Sequence, residues 1–358
     1  MIQRRDFLRT LAGGAVAAGL LRGGAAQAAD KPSVIRIAFP GVGIGNRPFV
    51  GGGNAANLHL QGSLEEEFKA DGIKVQWTFL RGAGPAVNEL YANGLVDISP
   101  LGDLPFIVGQ ASGLKRKVLA SAFIRGNTYL VAPADSSIKN IKDIRGKKVA
   151  IFKGTNLQLA VAQILEPLGL SDKDVKFINM DTGASRAALV TKDIDAYFGG
   201  NDVLSLRDQG VAKLVYSTRG DPRFLRHGVF IGIEQFVNRY PEITQRIVKR
   251  FVVASKWISD HDANPTPAFQ LWTKSGVQFA NYKEDYQGTS LKLSASPLLD
   301  PYLVSQLKAK IPLAKKFGLI RQTFDLESLF DRRFLNQALK ELNLEGYWPQ
   351  VSPSGQVG

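Results

Sequence analysis

Short β-branched runs and amphipathic helical segments alternate along this chain from residue 34 to residue 233, and such alternation folds as α/β, with strands held in parallel by crossover helices. Val34–Phe39 reads as a strand, Leu58–Ala70 as a helix, Val75–Phe79 as a strand, Pro85–Asn93 as a helix and Val96–Ser99 as a third strand. A helix over Leu104–Ser112 then leads to a strand over Lys117–Ala122. The pattern restarts at Asn127: Thr128–Ala132 is a strand, Ile138–Arg145 a short helix, and Lys148–Phe152 a strand opening a helix at Asn156. Val175–Ile178, Ala187–Thr191, Ala196–Phe198 and Leu214–Tyr216 continue it. Ser217–Pro222 breaks it, and Val229–Ile233 adds one more strand. From Pro241 onward the periodicity is helical, with Ile243, Ile247, Phe251, Ala254 and Ile258 on one face.

A middle unit bounded by two restarts predicts one domain inserted into another. The expected division is a first lobe from residues 29–122 and 224–350, with a helical C-terminal region, a second lobe from 123–223, and a flexible tail over 351–358. The chain then crosses between lobes near Phe123–Gly126 and Arg219–Arg223, and hinge closure over a solute is a common use of that geometry.

Residues 1–28 carry an export signal. Arg4-Arg5 and Phe7-Leu8-Arg9 precede a Gly/Ala-rich apolar stretch that ends at Ala26-Gln27-Ala28, the pattern of a twin-arginine leader cleaved after Ala28. The apolar run is too short and too broken by glycine and Arg22 to span a membrane. The expected location is the periplasm. Loss of Arg4, Arg5, Arg9, Arg22 and Asp6 lowers the formal charge of +13 to about +10. The basic residues are scattered among acids, so nucleic acid is not an expected partner and a small anion is.

The chain contains no cysteine. Disulfides, a lipid anchor, an iron–sulfur cluster and a thiol nucleophile are therefore absent from the expected chemistry. His59, His227 and His261 lie far apart in sequence, so no metal site and no cofactor are expected. Gly41–Gly45 resembles a dinucleotide fingerprint, but Asn46 stands at the third glycine position and no ribose-binding acid follows. Ser185, His227 and Asp202 have no triad spacing, and no G-x-S-x-G elbow exists.

In open α/β sheets ligands bind beyond the carboxyl ends of strands. Five loops there are rich in small residues: Pro40–Asn46, Arg81–Gly84, Gly102–Pro105, Lys153–Asn156 and Thr182–Ser185. Each opens a predicted helix, where free N–H groups and the helix dipole favour an anion. Helix capping alone accounts for any single loop; Asp103, for one, is placed to cap its own helix. Together with Gly199–Asp202, these loops give the candidate ligand residues Gly43, Asn46, Arg81, Gly82, Ala83, Gly102, Asp103, Thr155, Asn156, Ser185, Gly200 and Asn201. The glycine-rich stretch to Asn57 reads as a lid or rim. Phe49 and Tyr129 are candidates to line a pocket, whereas Phe198 is expected in the core.

Several segments resemble the solute-binding proteins of ABC importers in the sulfonate/nitrate/taurine group, related to the thiamine-precursor-binding proteins. They are Ile35–Phe39, Val87–Ser99 with Gly102-Asp103, Val118–Ser121, Ile138–Ala150, Lys153–Thr155 and Leu189–Tyr197. The resemblance implies a type II two-lobed periplasmic binding protein fold and capture of an anionic or zwitterionic solute, such as a sulfonate, sulfate ester or taurine-like compound. It also implies docking of a monomer on membrane permease subunits, without chemistry. Carried onto this chain, its ligand positions are Arg81, Gly82, Gly102, Asp103, Thr155, Asn156 and Ser185. Two alternatives stay open: an exported enzyme, and a same-fold binder of nitrate, bicarbonate, an aromatic carboxylate or a pyrimidine precursor of thiamine.

Overall fold

The computed structural model describes residues 31–358, so the expected leader lies outside the described residues. Strands β1 (Val34–Phe39), β2 (Lys74–Phe79), β3 (Ile98–Gly102) and β4 (Arg116–Gly126) are followed by β5 (Tyr129–Pro133), β6 (Lys148–Ile151), β7 (Lys176–Asn179), β8 (Ala196–Gly199) and β9 (Ala212–Ser217), and the chain then returns through β10 (Arg226–Ile233). They form two five-stranded sheets, ordered β2-β1-β3-β10-β4 and β7-β6-β8-β5-β9. The second sheet is an insertion within the first.

Both sheets are mixed, which corrects the all-parallel expectation. The pairs β1–β2, β1–β3, β6–β7 and β6–β8 are parallel, but β10 runs antiparallel to β3 and β4, and β5 antiparallel to β8 and β9. Connectivity explains the reversal. β10 pairs Gly228 with Gly102 at the carboxyl end of β3, and β5 pairs Tyr129 with Gly199 at the carboxyl end of β8. Each strand that receives the chain from the other lobe begins where the parallel strands end, so it must run against them.

β4 also continues beyond its expected end at Ala122, because Gly126 still pairs with Arg226. The outward crossing is therefore only Asn127-Thr128, and the return is Thr218–Leu225. The crossings bond to each other: Thr128 N–H donates to Thr218 Oγ1 at 2.8 Å, and Thr218 N–H donates to the Thr128 carbonyl at 3.0 Å. The helix expected over 58–70 is two helices, Asn54–Leu60 and Ser63–Lys69, divided at Gly62, whose φ of 63° is left-handed. The segment 138–145 forms only a 3₁₀ turn, Ile141–Ile144, closed by a capping box between Asn140 and Asp143.

Strand periodicity builds the core. In the second lobe Leu130, Ala132, Val149, Ile151, Ala196 and Phe198 face one side of the sheet, while Tyr129, Val131, Ala150 and Tyr197 face the other. In the first lobe the predicted face of the helix Pro241–Asp260 is buried, and Phe251 stacks on Phe230 with ring centroids 4.2 Å apart. Trp272 is buried in a smaller cluster with Phe269 and Tyr282. The tail is tied down by Tyr302 N–H, which donates to the Val351 carbonyl, and by a bridge between Val351 and Val357.

One buried ion pair joins these parts. Asp103, fully buried, accepts from Leu104 N–H at 2.7 Å and His227 N–H at 3.1 Å, and pairs with Lys310 of the helix Pro301–Lys316. Lys310 Nζ also donates to the Leu225 carbonyl at 3.0 Å. A lone buried charge is far costlier than a matched pair. Lys310→Met is expected to lower unfolding stability by about 3–5 kcal/mol in urea denaturation, with part of the loss recovered by adding Asp103→Asn.

Candidate functional site

A cleft of about 760 Å³ opens at the carboxyl ends of the parallel strands of both sheets. The first lobe contributes the loop from Pro40 to Gly53, then Arg81, Ala83, Gly84 and Gly102; the second contributes Phe152, Thr155, Asn156, Asp181–Gly183, Arg186 and Gly199–Asp202. Asn127 comes from the outward crossing and Arg226 from the start of β10, just after the return. Tyr282, Asp285 and Tyr286 come from the helical region after the sheets.

Of the candidate residues, Gly43, Asn46, Arg81, Ala83, Gly102, Thr155, Asn156, Gly200 and Asn201 line this cleft. Gly82, Asp103 and Ser185 do not. Gly82 ends the turn before the helix Ala83–Ala92, and a Cβ there would meet the Ala86 side chain at 2.8 Å. Asp103 is spent on Lys310. Ser185 is fully buried, its hydroxyl donating to the Met180 carbonyl at 3.4 Å. Tyr129 is buried and Phe49 lies tilted against His59 with ring centroids 5.7 Å apart, and neither lines the cleft.

The two second-lobe α-helix starts at the cleft are already capped, whereas the first-lobe helices after Gly53, Gly82 and Gly102 have no side-chain cap. Thr155 Oγ1 accepts from Leu157 N–H at 3.3 Å, Asp181 Oδ1 from Ala184 N–H at 2.8 Å, and Gln158 Oε1 from Gly154 N–H at 2.6 Å. Their dipoles still add positive potential, but the capped N–H groups are not open to a ligand.

The strongest donors are two arginines that sequence reasoning missed. Arg186 lies one residue beyond Ser185 on the helix Thr182–Val190; its guanidinium donates to the Asp202 carbonyl and stands 3.7 Å from Asp202 Oδ2. Arg226 begins β10, donating to the Asn127 carbonyl and, at 3.4 Å, to Asn156 Oδ1. No motif marks either position. Burial pulls Arg226 below its ordinary value, opposed by Asp285, Asp103 and Asp202. Burial also raises the Asp285 carboxyl, against hydrogen bonds from Tyr129 at 2.6 Å and Asn127 at 3.0 Å.

The lobes touch on both sides of the cleft. Arg81, whose side chain is 59% exposed, pairs with Asp181 of the other lobe at 2.8 Å. A Cβ on Gly102 would sit 3.0 Å from Asn156, and one on Gly154 would sit 2.7 Å from Pro85. On the side of the crossings Glu284 accepts from Arg207 at 2.7 and 2.6 Å, and Arg219 donates to its carbonyl at 2.9 Å. Among the described residues no group of three or more His, Asp or Glu is placed to hold a metal ion, and no helix is long and apolar enough to cross a membrane.

Two α/β lobes, joined by two crossings and enclosing a cleft at their strand ends, define the class: a two-lobed periplasmic binding protein fold. The chain belongs to the NMT1/THI5-like family, whose model matches residues 68–263. It is 28% identical over 203 residues to a Bacillus subtilis (strain 168) protein named for aliphatic sulfonate binding, covering 56% of this chain and 60% of that one. It is 24% identical over 207 residues to the taurine-binding periplasmic protein of Escherichia coli (strain K12), covering 58% of this chain and 62% of that protein. The matches thus span less than two thirds of these curated relatives. A periplasmic sulfonate-binding protein from Methylobacillus flagellatus KT has a crystal structure matching at a TM-score of 0.73 and 31% identity, over 89% of this chain and 97% of that one. The alkanesulfonate-binding protein of Xanthomonas axonopodis pv. citri bound to MOPS shares the fold, with a TM-score of 0.69 at 18% identity over 85% of this chain and all of that one.

Asp202 gives the site a pH signature. Burial pushes its carboxyl up from 3.8 to about 6, against the pull of Arg186, so the native state alone bears the cost of ionising it. Both states hold the proton below the unfolded value, and stability falls as pH rises from about 4 to about 6. Asp202→Asn is therefore expected to be more stable than the parent by about 2–3 kcal/mol at pH 7.5, and equal to it near pH 3.5, in denaturant titrations across pH.

Proposed function

We propose that this protein is the exported solute-binding component of an ABC importer, which captures a small organic anion of the sulfonate class and delivers it to membrane permease subunits without chemical change. In this reading residues 1–28 are a twin-arginine leader cleaved after Ala28, and the mature protein works in the periplasm as a monomer. Residues 29–122 with 224–350 form one moving body and 123–223 the other. The crossings Asn127-Thr128 and Thr218–Leu225 act as the hinge.

The observation that carries the reading is the presence of Arg186, from the second lobe, and Arg226, from the start of β10, together in the wall of the cleft. Guanidinium groups match the planar and tetrahedral oxygens of anionic head groups better than ammonium does. Asn127, Asn156 and Asn201 add neutral polar groups for the same head, and Phe39, Val42, Val50, Tyr282 and Tyr286 supply an apolar wall for an organic tail. The relatives named for sulfonate and taurine binding support the head-group class. Solved structures of a desulfurization enzyme share the fold at 15% and 17% identity, one of them a mutant with serine in place of a cysteine, but this chain has no cysteine to serve as nucleophile.

The test is a thermal-shift screen of alkyl and aryl sulfonates, sulfate esters, taurine, nitrate, bicarbonate, aromatic carboxylates and pyrimidines. A ligand at about 100 times its Kd stabilises the folded protein by about 2.7 kcal/mol, and a flat response to every sulfonate and sulfate ester rejects the proposed class. Arg186→Gln is expected to weaken the ligand found by at least about tenfold, as read by calorimetry on the folded variant. Gly102→Ala is expected to weaken it as well, because a methyl group against Asn156 holds the lobes apart; unchanged affinity would rule out closure at this contact.

A further inference from the structure

The charged residues lining the cleft are three arginines, Arg81, Arg186 and Arg226, and three aspartates, Asp181, Asp202 and Asp285. No lysine and no glutamate joins them. Arg81 is matched by Asp181 at 2.8 Å, and Arg186 by Asp202 at 3.7 Å. Arg226 lies in the field of Asp285 and Asp202, and the next carboxylate behind it, Asp103, is already neutralised by Lys310. The side chains lining the site carry no surplus positive charge. Moreover, Asp202 Oδ2 is buried and accepts no hydrogen bond, and Arg226 Nε is buried and donates none. One unsatisfied acceptor and one unsatisfied donor thus belong to the same cleft wall.

A bare anion enclosed here gives up its hydration to a site whose arginines are committed and whose carboxylates repel it. A molecule carrying both charges meets a different balance. Its anionic end takes guanidinium donors from the existing pairs, and its ammonium end satisfies the carboxylate those pairs release. The enclosed charge stays at zero. Resting on the reading of this cleft as the ligand site, we propose that it is built for a zwitterion, an anionic head group carried on the same small molecule as an amino group, in preference to the corresponding simple anion.

Matched pairs differing only by the amino group test this on the mature protein after dialysis to remove bound solute. Calorimetry compares propane-1-sulfonate with 3-aminopropane-1-sulfonate, and propionate with 3-aminopropionate, at pH 7.5. The amino member of a pair is expected to bind at least about tenfold tighter. Equal or tighter binding of the simple anion overturns the proposal and leaves the anion-binding reading standing. Binding by no member of either pair overturns that reading and the proposal with it. Asp202→Asn is expected to narrow or invert the preference within a pair, and Asp181→Asn provides the same comparison at the more exposed pair. A preference unchanged in both variants shows that the aspartates do not set it, which also overturns the proposal.

Discussion

The buried contact between Asp103 and Lys310 holds together the region on which the site depends. Asp103 starts the helix that follows β3, and its carboxylate also receives the N–H of His227 in β10. Lys310 arrives from a helix more than two hundred residues later and holds the Leu225 carbonyl, the last residue before β10. Three segments distant in sequence are thereby fixed at the point where the chain returns from the second lobe. Arg226 is the next residue. Its guanidinium is aimed between the lobes because its backbone is held on both sides, and the crossing it follows is bonded to its counterpart through Thr128 and Thr218.

Around this fixed point the site is polar but self-neutralised. Thr155 and Asp181 cap helices that could otherwise have offered bare N–H groups, and each cleft arginine has a carboxylate neighbour. Recognition is then an exchange of partners rather than the filling of a vacant positive hole. Such an exchange keeps the interior satisfied in both states, which matters in a cleft whose buried polar groups are costly when orphaned.

Much of the fold was legible because strand and helix periods are local properties. The faces of Val149–Ile151, Ala196–Phe198 and the helix from Pro241 follow from residue spacing alone, as does the restart near Asn127. Strand direction was not legible, since it depends on which end of a sheet the chain enters after a crossing. For the site, the small-residue loops led to the wall lined by Gly43, Asn46, Gly102, Asn156 and Asn201. They did not reveal which side chains turn inward. Ser185 and Arg186 are adjacent, yet the helix buries one and presents the other to the cleft. Asp103 was suspect from the outset as a cap, but its true partner, Lys310, has no sequence signal. Asp285 and Arg226 sit in unremarkable surroundings, and only tertiary contact gives them meaning.

The two glycines at the lobe boundary have a consequence for discrimination by size. At Gly102 and Gly154 the lobes meet as glycine main chain against the Asn156 side chain and the Pro85 ring, with no side chain on the glycine side to yield. In the proposed closure the shut volume is therefore set largely by these contacts rather than by the solute inside. Under that proposal a solute too long by one methylene does not stretch the enclosure; it leaves the jaws ajar. On the proposed function the protein is a go/no-go gauge, and fully shut or not is what its outer surface displays of the cargo.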